Sequence, residues 1–295
     1  MRTLSLTLFI LLLRTTAFAQ LHEVRPSAKH HYTGIIGGKY KLLMNLYFES
    51  GNHGNVEGEY RYYTQTEFLS VNGMLDQSTA KLTLSESVYS WKKQDREITG
   101  YFEGIVERYG VTGTWFNKDR TKKYEFTLST DERPSPFVSI YDNSKIDGDR
   151  KVTDTIVVKL NENNKQVITG FTSEVWPDVD HISLEDINFD GYLDILVVEM
   201  TGAKNTPIIY WVFQPQSNKF ILHEELEATD PVADVQHQQV ISNWSGGAAL
   251  HGTDKYVWSV GDEKFYLVEH TETDAIINQT TVIKYKVENG KSVKL

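Results

Sequence analysis

Asp186-Ile187-Asn188-Phe189-Asp190-Gly191-Tyr192-Leu193-Asp194, followed by Ile195-Leu196-Val197-Val198, is the stretch that decides the fold. Oxygen-bearing side chains stand at positions 1, 3, 5 and 9 of this segment, with glycine at position 6. A Ca²⁺ ion takes about 6–8 oxygen ligands at about 2.3–2.6 Å. A curled loop aims alternate side chains at one centre, and Gly191 permits the positive φ that keeps it curled. Asp186, Asn188, Asp190 and Asp194 are therefore the candidate side-chain ligands, with Tyr192 contributing its carbonyl. An EF-hand would carry a bidentate Glu at position 12, but Val197 stands there. The β-branched run after Asp194 reads as a buried strand, and His181 to Glu185 alternates apolar and polar residues as a strand does. The loop is thus expected to join two strands. The competing reading is a metal-free hairpin turn, since Asp, Asn and Gly favour turns in any case.

The chain on either side of this loop reads as all-β. From Tyr32 to Ser129, short alternating segments recur at Lys41 to Phe48, Asn55 to Tyr63, Glu67 to Val71, Lys81 to Ser87, Glu97 to Val106, Val111 to Phe116 and Lys122 to Leu128. Ser50-Gly51-Asn52, Asn72-Gly73 and Tyr109-Gly110 are among the turn signals between them. Such spacing predicts an antiparallel meander closing into a barrel or sandwich. Residues 131–147, with Pro134, Pro136 and clustered Asp, Asn and Gly, read as a linker. The domains expected are thus 21–130 and 148–295, the second propeller-like or sandwich-like. No long helix is expected, only a helical turn within Ala228 to Gln236.

Residues 1–19 read as a secretory signal: Arg2, an apolar core from Leu4 to Leu13, and the small-residue site Ala17-Phe18-Ala19. That core is too short to span a bilayer. The chain has no cysteine, which together with the signal suits a periplasmic or secreted protein with cores large enough to need no disulfide. Thirty basic against forty acidic residues give a net charge of −10. Nucleic acid needs a basic face and is an unfavourable partner, whereas a basic protein is a favourable one.

Catalytic patterns are weak. Nine histidines include no His-Glu-x-x-His. Asn243-Trp244-Ser245-Gly246-Gly247 lacks the glycine two residues before the serine that a nucleophile elbow carries. Gly34-Ile35-Ile36-Gly37-Gly38 has no Gly-Lys-Ser/Thr ending. The expectation is a protein without an enzyme active site.

The C-terminal half carries a resemblance. The acidic loop and its strand are followed by Gly202-Ala203-Lys204-Asn205, then by Tyr210-Trp211-Val212-Phe213-Gln214-Pro215 and Asn218-Lys219-Phe220. This order, over roughly 150–290, resembles the periplasmic immunity proteins that inhibit peptidoglycan hydrolase effectors of bacterial type IV secretion. The resemblance implies a C-terminal calcium loop with Asp186, Asn188, Asp190, Tyr192 and Asp194 as ligands, and a hydrolase as partner. Loop 201–210, with Gly202, Asn205 and Tyr210, is the candidate inhibitory loop, and 244–251 with Trp244 is a second. The alternative function is a calcium-dependent carbohydrate- or surface-binding module in which Tyr60, Tyr62, Trp91 and Trp115 stack on sugars.

Overall fold

Alternation of inward and outward side chains builds the first half of the protein. In the computed structural model, residues 21–50, 54–90, 94–202, 205–229 and 231–295 are described, and among them every regular element is a strand. The leader 1–19 and Trp91 lie outside the described residues. After β1 (His22–Val24), the chain runs up and down through β2 (Ser27–Ile36), β3 (Tyr40–Phe48), β4 (Asn55–Tyr62), β5 (Leu69–Asp76), β6 (Lys81–Ser90), β7 (Asp95–Glu107), β8 (Gly110–Asn117) and β9 (Lys123–Ser129). Each strand pairs with the next, and β9 returns to β2 through Thr33↔Ser129 to Ile36↔Phe126, closing an eight-stranded antiparallel barrel. Leu42, Met44 and Leu46 of β3 point inward with Tyr60, Leu82, Leu84, Phe102 and Phe126. An eight-stranded barrel is just wide enough for such side chains to fill it.

The Asn72-Gly73 pair, read as a turn, lies inside β5. A Cβ on residue 73 would stand 1.8 Å from the Thr83 carbonyl oxygen, so glycine serves a close strand approach there. The expected helical turn around 228–236 contains β20 (Val232–Asp234) instead.

The segment 131–147 is also more than a linker. It carries β10 (Ser139–Asp142) and β11 (Lys145–Asp147). Polar residues and prolines around so short an apolar alternation hid the strand, whose partners are distant in sequence. Next come β12 (Arg150–Thr153), β13 (Ile156–Asn161), β14 (Asn164–Ile168) and β15 (Ser173–Val175). They form two small sheets, β1-β10-β13-β14 and β11-β12-β15. β1 pairs with β10, so the first described strand belongs to a sheet of the C-terminal half.

β16 (Ile182–Glu185), β17 (Asp194–Val198), β18 (Ile208–Gln214) and β19 (Lys219–Leu222) form an antiparallel run whose β16 edge continues onto the barrel. The contact is a short parallel pairing, Ser183↔Ser27 and Leu184↔Ala28. One edge of β2 therefore serves two partners, β16 at its start and β9 at its end. The remaining strands, β20, β21 (Gln239–Ser245), β22 (Leu250–Ser259), β23 (Lys264–Asp274), β24 (Gln279–Glu288) and β25 (Lys291–Lys294), make a six-stranded meander. β17 and β18 lie between two cores: Ile195, Val197, Trp211 and Phe213 enter one, while Leu196, Tyr210 and Val212 enter the other. Burial on both faces explains why 195–198 is continuously apolar.

Candidate functional site

The acidic loop joins β16 to β17 as expected, and both cores hold it. Ile187 is buried in one core and Leu193 in the other, so the polar residues between them have little freedom. Backbone geometry curls the segment, with φ of 62° at Phe189 and 89° at Gly191. A Cβ at 191 would also come within 2.9 Å of the Asp131 carbonyl oxygen. Conformation and packing thus both require glycine there. The Arg133 amide donates to the Gly191 carbonyl at 2.6 Å, and its guanidinium lies 5.1 Å from the Tyr192 ring centre.

Side-chain oxygens inside the loop are organised by backbone amides. Asp186 accepts from the amides of Asp190 (3.1 Å) and Gly191 (2.8 Å). Asn188 accepts from Asp190 at 3.3 Å, and Asp190 from Tyr192 at 2.9 Å. Asp194, wholly buried, accepts from Ile187 (3.0 Å) and Phe213 (2.8 Å), tying the loop to β18. Burial pushes the Asp186 carboxyl up to about 7, and Asp190 adds repulsion, against the amide bonds that lower it. Burial also raises Asp194 well above the usual carboxylate range, and neighbouring Asp186 and Asp190 raise it further.

Glu185, one residue earlier, behaves oppositely. Its carboxylate meets Lys29 Nζ at 3.0 Å and His31 Nε2 at 3.1 Å, both from β2. Burial opposes its ionisation, but Lys29 and His31 outweigh that and hold it near 2. Adjacent carboxylates thus differ because one has cationic neighbours. Among the described residues, none of Asp186, Asp190 and Asp194 forms an ion pair, and no three His, Cys, Asp or Glu side chains already converge on a metal position. The donor set is nevertheless that of a hard cation: three carboxylates, an amide oxygen and a backbone carbonyl, without nitrogen or sulfur. Asp186 and Asp194 are buried next to each other, and of the two only Asp186 feels a basic neighbour, His31, too weakly to offset burial; a divalent ion would neutralise such a pair.

The residues expected to touch a partner fare unevenly. Tyr210 is 1 % exposed and donates to the Ala228 carbonyl, so it is a core residue and no anchor. It sits in β18, whose two faces are both covered, and its aromatic character gave no sign of that. Trp244 belongs to β21, stacked at 5.6 Å on His270 and laid across Gly252. The turn is confined to residues 246–249. Asn205 clips its loop to β21 by a bond in each direction with the Ser245 backbone. Gly202 is exposed, and Ala203 and Lys204 lie outside the described residues. Of the proposed sugar-stacking residues, Tyr60 is fully buried, while Tyr62 and Trp115 line the mouth of the barrel.

A groove that the sequence did not disclose opens where Glu199 and Pro207 flank loop 201–206. It has a volume of about 880 Å³. Phe171, Trp211 and Leu226 line it, and Glu199, Glu224 and Glu227 stand around it. These three glutamates are exposed, and none makes an ion pair among the described residues. They lie at strand ends and in turns whose meeting depends on the β17–β18–β19 register, so no local motif marks them. Elsewhere, His181 Nε2 meets both Asp142 (2.8 Å) and Thr153 (3.1 Å). Both partners meet one ring nitrogen, which is not the arrangement of a hydroxyl–imidazole–carboxylate relay.

No protein-family model matches the chain, and no curated protein matches it. Among solved structures, it is similar to a Xanthomonas type IV secretion system related protein at 13% identity, over 53% of this chain and 88% of that chain, with a TM-score of 0.41. It is also matched to a putative 6-phosphogluconolactonase from Bacteroides fragilis at 10% identity, over 90% of this chain and 94% of that chain, with a TM-score of 0.17. Both are distant in sequence and in fold.

Proposed function

We propose that the protein is an exported, calcium-braced binding protein without catalytic activity, which inhibits a basic peptidoglycan hydrolase. The acidic groove carries this reading. Three exposed glutamates around an apolar floor suit a cationic segment with an aromatic or aliphatic tip. The chain's net charge of −10 favours fast encounter with a basic partner. β17 runs from Asp194 at the acidic loop to the strand end beside Glu199, so an ion bound by the loop would brace the strand that carries one rim residue of the groove. Asp186, Asn188, Asp190, Asp194 and the Tyr192 carbonyl would hold that ion, which supplies charge neutralisation and rigidity.

The full-length mature protein, mixed with basic lysozyme-type hydrolases and a peptidoglycan substrate, is expected to suppress turnover. Glu199→Lys combined with Glu224→Lys is expected to slow association by about tenfold or more at low salt. Peptidoglycan cleavage by the protein itself, abolished by one carboxylate substitution, would overturn the reading. So would inhibition that ignores both charge reversals.

A further inference from the structure

We infer that the mouth of the barrel is a second binding site, for a small molecule with an apolar ring body and an anionic group. The barrel interior is filled by side chains, but at the end where, among the described residues, the β2–β3, β4–β5 and β8–β9 connections lie, it opens into a cavity of about 620 Å³. That volume falls in the range of pockets that enclose a small organic ligand, about 300–1,000 Å³.

Two aromatic walls face this space. One is Tyr40 edge-on to Tyr62 at 6.1 Å, and the other is Trp115 stacked on Tyr124 at 6.0 Å. Tyr40 and Tyr124 are 47% and 42% exposed, so a ligand can reach both rings, and Lys39 Nζ lies 5.1 Å from the Tyr40 ring centre.

The floor is fixed. Glu86, 4% exposed within the barrel, accepts from Tyr60 Oη (2.5 Å), Thr99 Oγ1 (2.5 Å) and Trp115 Nε1 (2.9 Å). The indole forming one wall is thereby locked in orientation before any ligand arrives, which lowers the ordering cost of binding.

Charge selects the ligand. The described residues lining the cavity include no Asp or Glu, and its charged members are Lys39 and Lys41, both exposed at the rim. A cationic rim on a protein of net charge −10 is a local reversal. Glu86 stands behind Trp115 and outside the lining. A bound molecule therefore places its apolar rings between the aromatic walls and its anionic group outward, against the lysines. Polysaccharides fit less well, because stacking on sugars is accompanied by many side-chain hydrogen bonds, and among the described lining residues Thr64, Gln65, the tyrosine hydroxyls and the two rim lysines offer them.

The test titrates the full mature chain with 1-anilinonaphthalene-8-sulfonate and, separately, with the uncharged N-phenyl-1-naphthylamine. One saturable sulfonate site per chain is expected, weakened about tenfold or more by Tyr40→Ala with Tyr124→Ala. Lys39→Glu with Lys41→Glu is expected to weaken the sulfonate probe at low ionic strength and leave the uncharged probe unchanged. Both double variants alter exposed positions, and their unfolding transitions serve as the check that the barrel is intact. No stoichiometric site, or one indifferent to the tyrosine pair, overturns the inference. Equal response of both probes to the lysine reversal overturns its anionic part. Displacement of the sulfonate by chitooligosaccharide at comparable affinity reassigns the mouth to sugars and overturns it too.

Discussion

The barrel and the acidic loop each bury carboxylates, and they do so on opposite terms. Glu86 in the barrel takes hydrogen bonds from three side chains that converge on it. Its oxygens are held by a fixed set of side-chain donors. Asp194 is as deeply buried, but its two donors are backbone amides, and its neighbours include Asp186 and Asp190. Here hydrogen bonding is complete while charge is not balanced. A buried carboxylate with converging side-chain donors is a structural element; crowded carboxylates held by amides alone keep an unbalanced charge, which the proposed ion would neutralise.

Four measurements break or sharpen this contrast. Asp194→Ala strands the buried amides of Ile187 and Phe213, and each unsatisfied donor costs about 1–3 kcal/mol. A loss of about 4 kcal/mol in urea unfolding is expected, and a loss below about 1 kcal/mol would mean the loop is a dispensable turn. Glu86→Ala leaves three donors unmet but beside an open mouth where water reaches some of them, so about 3 kcal/mol is expected. That loss should be the same with calcium or chelator; any calcium dependence would erase the distinction between the two sites.

Calcium itself comes third. At a hundredfold excess over Kd it should stabilise the protein by about 2.7 kcal/mol, read as a rise in Tm of about 5–10 °C. Asp190→Ala should abolish most of that rise, and an unchanged midpoint on chelation would count against the ion. The smallest effect is acid sensitivity at Asp142. Burial works to raise its carboxyl, but the bonds from His181 and Ser144 prevail and hold it below the usual range. Its folded pKa being the lower, its contribution is present above the unfolded value of about 3.9 and is lost as the pH falls through the folded one. Asp142→Asn should therefore flatten the stability profile below about pH 4 and leave the profile at neutral pH parallel to that of the parent protein.

What could be read from the sequence was whatever chemistry is local. The acidic loop is nine consecutive residues whose spacing and glycine state their own geometry, and β3, β4 and β6 to β9 declare themselves by alternation. Properties set by distant partners were hidden. Asn72-Gly73 has the composition of a turn, and only the approach of Thr83 from β6 shows it to be mid-strand. Tyr210 and Trp211 are adjacent aromatics that enter different cores, so nothing in the pair distinguishes an anchor from packing. Glu199, Glu224 and Glu227 are ordinary surface acids until three strands bring them around one groove. Tyr62 and Trp115 were visible as aromatic candidates, but the depth of Tyr60 was not.

The pairing of β1 with β10 bears on how the two halves relate. His22 to Val24 lie against Ile140 to Asp142, and Ser27 and Ala28 lie against Ser183 and Leu184. The first described strand thus belongs to the far half, and the barrel leaves and re-enters that half between two neighbouring strands. In architectural terms the barrel is a guest module carried on a loop of its host, with its points of departure and return close together. Excising it and bridging residue 28 to residue 132 should leave the host its full complement of strands, whereas cutting the chain at residue 130 would strip the host of its first strand. Dissection of the protein should follow that seam.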